Sequence, residues 1–309
     1  MSNNYRKIDI SGLTEIGSGA TSIVYKLTED KIIKVYNFWM KFDEILREYN
    51  TSKAVYEKGV PSPKPYEVVE VTTEDKESRY GVIYELIEAD TLADIIGNNP
   101  DTLKEHAIKC AHMLLDLHKI QYNEGELPDC RNTWWDMCRE GLVKYISSKQ
   151  ESELELLLKN IPVHNTFIHG DFYPRNIMMR GSKMLLIDVG EASIGHPFFD
   201  LASIYMSCVI LPKRSVAGHL SKSTMTRQMW EDFYGYFMDI YLDEYLRGRG
   251  DDSREEVESV ISLFGNLRYI MTYSLIPGRS KEERIEIIEP IISSICDNRI
   301  RVEEQGVLM

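Results

Sequence analysis

The sequence predicts an α+β fold with a smaller β-rich part followed by a larger, mainly helical part. Residues 1–86 alternate short β-type runs with turns, as at residues 22–27, 31–36 and 80–84. One helix, at residues 42–57, interrupts these runs. Beyond residue 86 apolar side chains recur at steps of three and four, which is the period of amphipathic helices. We therefore expect two domains, residues 1–86 and 87–309.

The helical part is expected to contain helices at residues 102–120, 134–146, 229–246, 255–273 and 285–295. A single strand-like stretch interrupts them at residues 166–188, where two apolar runs flank a polar turn. This stretch holds most of the candidate catalytic residues.

The composition predicts a cytoplasmic protein with no membrane partner. The five cysteines are odd in number and widely spaced, which indicates reduced thiols rather than a disulfide framework. The first residues are polar and show no secretory signal. The longest uncharged apolar stretch, residues 201–212, is much shorter than the roughly 20 residues that a membrane-spanning helix needs.

The charge distribution argues against a nucleic-acid partner. The net charge is −13, and no run of Lys and Arg is present to contact phosphates. Residues 1–86 carry a net charge of −2 and residues 87–309 a net charge of −11. The acidity therefore belongs to the helical part.

Residues suited to phosphoryl transfer follow in close succession. Residues 169–176 read His-Gly-Asp-Phe-Tyr-Pro-Arg-Asn, and residues 186–190 read Leu-Ile-Asp-Val-Gly. Phosphoryl transfer needs a carboxylate to orient or deprotonate the attacking hydroxyl, together with oxygen ligands for Mg²⁺. Asp171, Asn176 and Asp188 supply that set. Metalloprotease and P-loop motifs are absent from the sequence.

The spacing of these residues resembles the catalytic and metal-binding loops of the protein-kinase-like fold. With Gly170 in the second position, the segment is most similar to the aminoglycoside phosphotransferase and choline kinase family. The resemblance implies a two-lobed fold with a small β-rich N-terminal lobe and a larger helical C-terminal lobe. It also implies that Asp171 is the base, that His169 orients the loop, and that Asn176 and Asp188 bind Mg²⁺.

The resemblance continues into the β-rich part, where residues 16–24 look like the glycine-rich turn over the phosphates of a nucleotide. Gly17, Ser18, Gly19 and Ser22 are its candidate contacts, with Ser22 in place of the third glycine of the family pattern. Many hairpins carry Gly-x-Gly only because a positive φ is needed, so this motif has an ordinary structural alternative.

Lys34 lies in the apolar strand segment Ile-Ile-Lys-Val, where a charged side chain is unusual and indicates a function. It matches the lysine that kinases place on the α and β phosphates. A partner acid is expected from the next helix. Glu44 and Glu48 lie one turn apart there, and Glu48 is the better match to the family. Glu85 and Ile87 flank the segment that resembles the adenine-binding hinge.

The short segment between Asp188 and Asp200 favours a small-molecule acceptor. Asp200 resembles the buried acid that braces the catalytic loop in the family, and only eleven residues separate it from Asp188. This leaves little room for the long activation segment on which protein kinases dock peptides, and no Ala-Pro-Glu signature is present.

The expected activity is transfer of the γ-phosphate of Mg-ATP, or of GTP, to a hydroxyl group of a small cationic acceptor, in the manner of an aminoglycoside phosphotransferase. A choline, ethanolamine, thiamine or fructosamine-type sugar kinase is the alternative. A nucleotide-binding pseudokinase that acts as an interaction module is an alternative of another class. The presence of Lys34, Asp171, Asn176 and Asp188 argues against it.

Residues 229–246 leave two interpretations open for the acceptor. Acids alternate there with aromatic residues, which would suit a polyamine sugar or a quaternary ammonium group. The same pattern is typical of an amphipathic helix with one face in the core and one in solvent.

Overall fold

The computed structural model of the chain describes residues 5–19, 21–72, 78–214, 224–247, 254–276 and 278–304, so Ala20 of the glycine-rich turn lies outside it. Contacts group the chain into two units. The first comprises Met1–Thr91 and Asn176–Ala192, and the second comprises Leu92–Arg175 and Ser193–Met309. The first is β-rich and the second mainly helical, which confirms the predicted fold class.

The first unit is built on a six-stranded mixed sheet. The strands of the chain are β1 (Lys7–Asp9), β2 (Glu15–Ser18), β3 (Ser22–Lys26), β4 (Lys31–Tyr36), β5 (Pro65–Thr72), β6 (Ser78–Glu85), β7 (Phe167–Ile168), β8 (Ile177–Arg180), β9 (Lys183–Leu186) and β10 (Ser193–Ile194). The sheet has the order β1-β5-β6-β4-β3-β2, with β1 and β5 parallel and all other neighbours antiparallel. β8 and β9 form a separate antiparallel ribbon.

The helices are α1 (Phe42–Glu57), α2 (Leu92–Asn98), α3 (Leu103–Leu117), α4 (Cys130–Met137), α5 (Ser148–Lys159), α6 (Phe198–Tyr205), α7 (Leu211–Lys213), α8 (Arg227–Tyr245), α9 (Arg254–Leu275) and α10 (Lys281–Glu304). α1 packs on the sheet of the first unit. In the second unit α3 packs against α8, and α9 packs against both α6 and α10. Within the described residues, no helix has both the length and the apolar character that a bilayer span requires.

Alternation along β4 decides which side chains meet α1. Ile33 and Val35 belong to the core on one face of the sheet. Tyr36 belongs to the core on the other face, which includes Ile45 of α1. Because successive side chains point to opposite faces, Lys34 lies on the face that α1 covers.

The aromatic residues of α8 are part of the core of the second unit. Its largest buried side chains are Trp230, Phe233, Phe237 and Tyr241. On the opposite face Arg254 of α9 pairs with Asp239 at 2.5 Å and with Asp243 at 3.7 Å. The structure therefore favours the amphipathic interpretation of this helix, with its aromatic side chains in the core and its acids paired at the surface.

Replacement of Phe237 by alanine should lower the free energy of unfolding by about 3–5 kcal/mol, because the buried ring leaves a cavity. Its neighbour Tyr236 is 38% exposed, and Tyr236→Ala should cost about 1 kcal/mol or less, including loss of the contact between its ring and Lys104. Urea denaturation of both variants measures the difference. Equal losses would show that α8 does not bury its aromatic face.

Candidate functional site

A cavity of about 260 Å³ lies in the first unit, beside α1. Several of the predicted site residues line it, namely Gly17, Lys34, Glu48, Glu85, Ile87 and Asp188. Apolar side chains such as Ile16, Val24 and Met178 form the rest of its wall. An apolar cavity with a few convergent charged groups is typical of a small-molecule site.

Lys34 is held between two carboxylates. Its Nζ lies 2.7 Å from Glu48 Oε1 and 3.0 Å from Asp188 Oδ1. Burial by itself lowers the pKa of Lys34, but the negative charges of Asp188 and Glu48 outweigh burial and raise that pKa above its ordinary value. The ammonium group therefore remains charged and separates two acids that would otherwise repel each other.

Glu48, and not Glu44, contacts the lysine. Glu44 is occupied at the start of α1, where its Oε2 accepts a hydrogen bond of 3.0 Å from the backbone N–H of Lys41. Glu48 lies three residues after the buried Ile45, so it projects from the side of α1 that faces the sheet. The geometry thus separates the two acids that the sequence left as candidates.

Gly190 has a steric reason to be glycine. A Cβ at this position would lie 2.3 Å from Glu48 Cγ, well inside van der Waals contact. Any side chain at residue 190 would therefore displace either Glu48 or the turn that carries residue 190. The glycine of the Asp-x-Gly motif allows the turn after β9 to approach α1 closely.

Asp188 adopts a left-handed backbone conformation, with φ 55° and ψ 45°. It is the only non-glycine residue with positive φ in the part of the chain that the structure describes. This conformation costs roughly 1–2 kcal/mol in an L-residue, and Asp tolerates it better than most. The side chain is 59% exposed. Backbone strain of this kind is often found at functional sites.

Asn176 lies at the same end of the β8–β9 ribbon as Asp188. Its carbonyl accepts a hydrogen bond of 2.9 Å from the N–H of Ile187, the residue before Asp188. Among the described residues no group of three or more His, Cys, Asp or Glu side chains could hold a metal by itself. One carboxylate and one amide nevertheless fit Mg²⁺, which usually takes few protein ligands and completes its shell with phosphate and water.

The glycine-rich turn joins β2 and β3. Ser18 pairs with Ile23, and the N–H of Gly19 donates to the carbonyl of Ser22 at 2.9 Å. Neither Gly17 nor Gly19 has a φ in the left-handed region. A need for positive φ therefore does not explain the Gly-x-Gly pattern, although Gly17 lines the cavity.

The segment that resembles the hinge follows β6. Glu85 Oε1 pairs with Arg180 at 2.7 Å, and Glu85 Oε2 accepts a hydrogen bond from the N–H of Lys64 at 3.2 Å. The side chain of Ile87 is buried and lines the cavity. These contacts fix the segment at the cavity wall.

The predicted catalytic loop belongs to the second unit and is held by a buried acid. Asp200 is fully buried and accepts hydrogen bonds from the backbone N–H groups of His169, at 3.0 Å, and Gly170, at 2.8 Å. His169 Nδ1 accepts from the N–H of Asp171 at 3.2 Å. His169 and Asp171 thus lie in the second unit, whereas Asn176 and Asp188 lie in the first.

The sequence did not single out Tyr84 and Ser52, which also line the cavity. The Tyr84 hydroxyl is 3.3 Å from Ser52 Oγ, and burial together with the charge of Glu48 raises the pKa of Tyr84 to about 12. Strand alternation and helix spacing are the two signals in the sequence that place these residues beside Lys34 and Glu48. Tyr84 is opposite Ile32 on β4, on the face that carries Lys34, and Ser52 is one helical turn after Glu48.

The sequence model of the phosphotransferase enzyme family matches residues 12–236. No curated protein matches the sequence.

Solved structures share the fold at low sequence identity. The ADP-bound aminoglycoside phosphotransferase APH(2″)-Ib is 15% identical over 92% of this chain and 93% of its own, with a TM-score of 0.55. The amicoumacin kinase hAmiN, in complex with AMP-PNP, Ca²⁺ and Ami, is 15% identical over 95% and 90%, with a TM-score of 0.58. A choline/ethanolamine kinase family protein from Mesorhizobium loti is 12% identical over 96% and 90%, with a TM-score of 0.54.

These structures have the two-lobed fold that the sequence predicted, and the family resemblance is confirmed. Because the matched segment covers more than half of the residues, the chain belongs to the phosphotransferase enzyme family and is a phosphotransferase that acts on hydroxyl groups.

Proposed function

We propose that the protein transfers the γ-phosphate of Mg-ATP to a hydroxyl group of a small cationic molecule, with GTP as an alternative donor. The observation that carries the proposal is Lys34, held between Glu48 and Asp188 in the wall of one cavity. A lysine positioned by a helix glutamate is the arrangement with which kinases bind nucleotide phosphates. Structures of similar fold were determined as ADP, GDP and AMP-PNP complexes, which agrees with this donor.

In this proposal residues 1–86 form the nucleotide-binding domain. Lys34 binds the α and β phosphates, and Glu48 keeps its ammonium group in place. The turn with Gly17, Ser18, Gly19 and Ser22 covers the phosphates. The segment from Glu85 to Ile87 contacts the nucleobase.

Residues 87–309 supply the catalytic base and the acceptor site. Asp171 is this base and accepts the proton of the attacking hydroxyl. His169 and Asp200 fix the backbone that carries this carboxylate, which is supported by their hydrogen bonds to the loop. Asn176 and Asp188 hold Mg²⁺. When bound, the metal neutralises charge on the transferring phosphate.

Charge supports a cationic acceptor. The helical part carries a net charge of −11, and a negative surface raises the local concentration of a cation. Complexes of similar fold contain gentamicin and streptomycin, and another neighbour belongs to the choline/ethanolamine kinase family.

A phosphate-transfer screen tests the function. The protein is incubated with Mg-ATP or Mg-GTP and a panel of aminoglycosides, amino alcohols and sugars, and nucleoside diphosphate formation is measured. Acceptor-dependent formation with a cationic member supports the proposal. Turnover only with neutral sugars would overturn the cationic acceptor, and no turnover with any member would overturn the activity.

Replacement of Asp171 by asparagine should lower kcat by about 10²–10⁴, the usual contribution of a positioned acid-base group. Nucleotide affinity, measured by calorimetry, should change little because Asp171 acts on the acceptor. Asp243→Asn, at an exposed position on α8, is the control and should keep its turnover. Undiminished turnover of Asp171→Asn would remove this residue from the mechanism.

Replacement of Asp188 by alanine should abolish most of the dependence of ATP affinity on Mg²⁺, because one of the two proposed oxygen ligands is lost. Titrations of the parent and variant proteins with ATP, in Mg²⁺ and in EDTA, measure this dependence. The same magnesium effect in both proteins would contradict the assignment of Asp188.

A further inference from the structure

A histidine with a nearly buried side chain contacts the acid that holds the catalytic loop. His118 directly follows the last residue of α3, and its side chain is 6% exposed. Its Nε2 lies 3.1 Å from Asp200 Oδ2, and its Nδ1 lies 2.7 Å from the hydroxyl of Tyr241 on α8. All three residues belong to the second unit.

Three donors converge on the carboxylate of Asp200. Two are the backbone N–H groups of His169 and Gly170, and the third is the ring of His118. A fully buried carboxylate is costly unless hydrogen bonds compensate its lost hydration. His118 is therefore one of a small set of groups that compensate the burial of Asp200 and hold its carboxylate in place.

The hydroxyl of Tyr241 determines how the imidazole can serve Asp200. A carboxylate accepts hydrogen bonds, so Nε2 must carry the proton that points to it. In the neutral ring Nδ1 is then an acceptor, and the Tyr241 hydroxyl is the donor that satisfies it. Loss of this hydroxyl removes the preference for the tautomer that donates to Asp200.

We propose that His118 is a positioning residue for phosphoryl transfer, acting through Asp200 on the backbone before Asp171, and that Tyr241 sets its tautomer. The kinetic part of this inference rests on the proposed function. The chain of contacts runs from Tyr241 through His118 and Asp200 to the N–H groups of His169 and Gly170. Ser203 holds the same loop independently, because its Oγ donates to the carbonyl of Gly170 at 2.8 Å.

Amide hydrogen exchange tests the contact without requiring turnover. In His118→Leu the amides of residues 169 and 170 should exchange about 10- to 100-fold faster, because their acceptor loses a charge-assisted hydrogen bond. His118→Gln should restore most of the protection, since its amide can donate to Asp200. The change should be confined to residues 167–172. No change, or an equal change throughout the helical unit, would overturn the proposal.

Matched variants separate this role from general packing. Tyr241→Phe removes the hydroxyl that contacts His118, whereas Tyr245→Phe removes a hydroxyl one turn later on the same stack of rings, 3.4 Å from His196. His106→Gln alters a buried histidine within α3 that is not among the described contacts of Asp200. Faster exchange at residues 169 and 170 is expected in Tyr241→Phe and not in the two controls. The same acceleration in all three would contradict a specific role.

The kinetic arm uses release of phosphate from Mg-ATP with water as acceptor. His118→Leu should lower kcat about tenfold or more, with the KM for ATP changed less than about twofold, since a displaced base slows transfer without altering the nucleotide site. His118→Gln should recover most of the rate. A raised KM with unchanged kcat would overturn the positioning role. If the parent protein does not hydrolyse ATP, the same comparison is made with the acceptor that the screen identifies. Absence of phosphate transfer to every member of the panel would refute the proposed function and leave the exchange test intact.

Discussion

The first unit depends on the ion pairs that the ammonium group of Lys34 makes. This group binds Glu48 from α1 and Asp188 from the turn after β9, so β4, the helix that follows it and a turn 154 residues away meet at one charge. Removing one member of the mostly buried Lys34–Glu48 pair should cost up to about 3–5 kcal/mol, because the remaining charge loses its partner, whereas the pair with Asp188 is partly screened by solvent and contributes less. Gly190 allows the close approach that this pairing requires. The arrangement of the sheet, α1 and the ribbon β8–β9 is therefore coupled to one side chain.

The second unit uses a buried charge in a different way. Asp200 has backbone N–H groups as partners, and these belong to the residues directly before Asp171. Backbone donors cannot change rotamer, so they fix the path of the chain more firmly than a side-chain pair would. A charged side chain held by two carboxylates suits a group that must bind phosphates, whereas a loop fixed through its backbone suits a catalytic base that must be held at one position.

Local patterns in the sequence predicted some elements closely. Helix α1 and strand β4 have the predicted bounds, because their periods are regular and turn residues follow them. The helix predicted at residues 134–146 instead begins at Cys130 and continues as a π-helical turn at Cys138–Leu142, where the wider turn breaks the 3.6-residue period. Helix α5 was not predicted, although Ser147 and Gln150 form a capping box before it. The apolar positions of α5 are too few for periodicity alone to reveal it.

Lys34 and His118 differ in how visible they are in the sequence, although both are polar side chains at core positions. Lys34 interrupts an apolar strand, and a family motif identifies it. His118 stands four residues after the buried Leu114, where the apolar face of α3 would place another hydrophobic residue. Its partners lie 82 and 123 residues away in the sequence, so no spacing rule connects them. A polar residue in an apolar position shows that a partner must exist, and only the folded chain identifies that partner as Asp200.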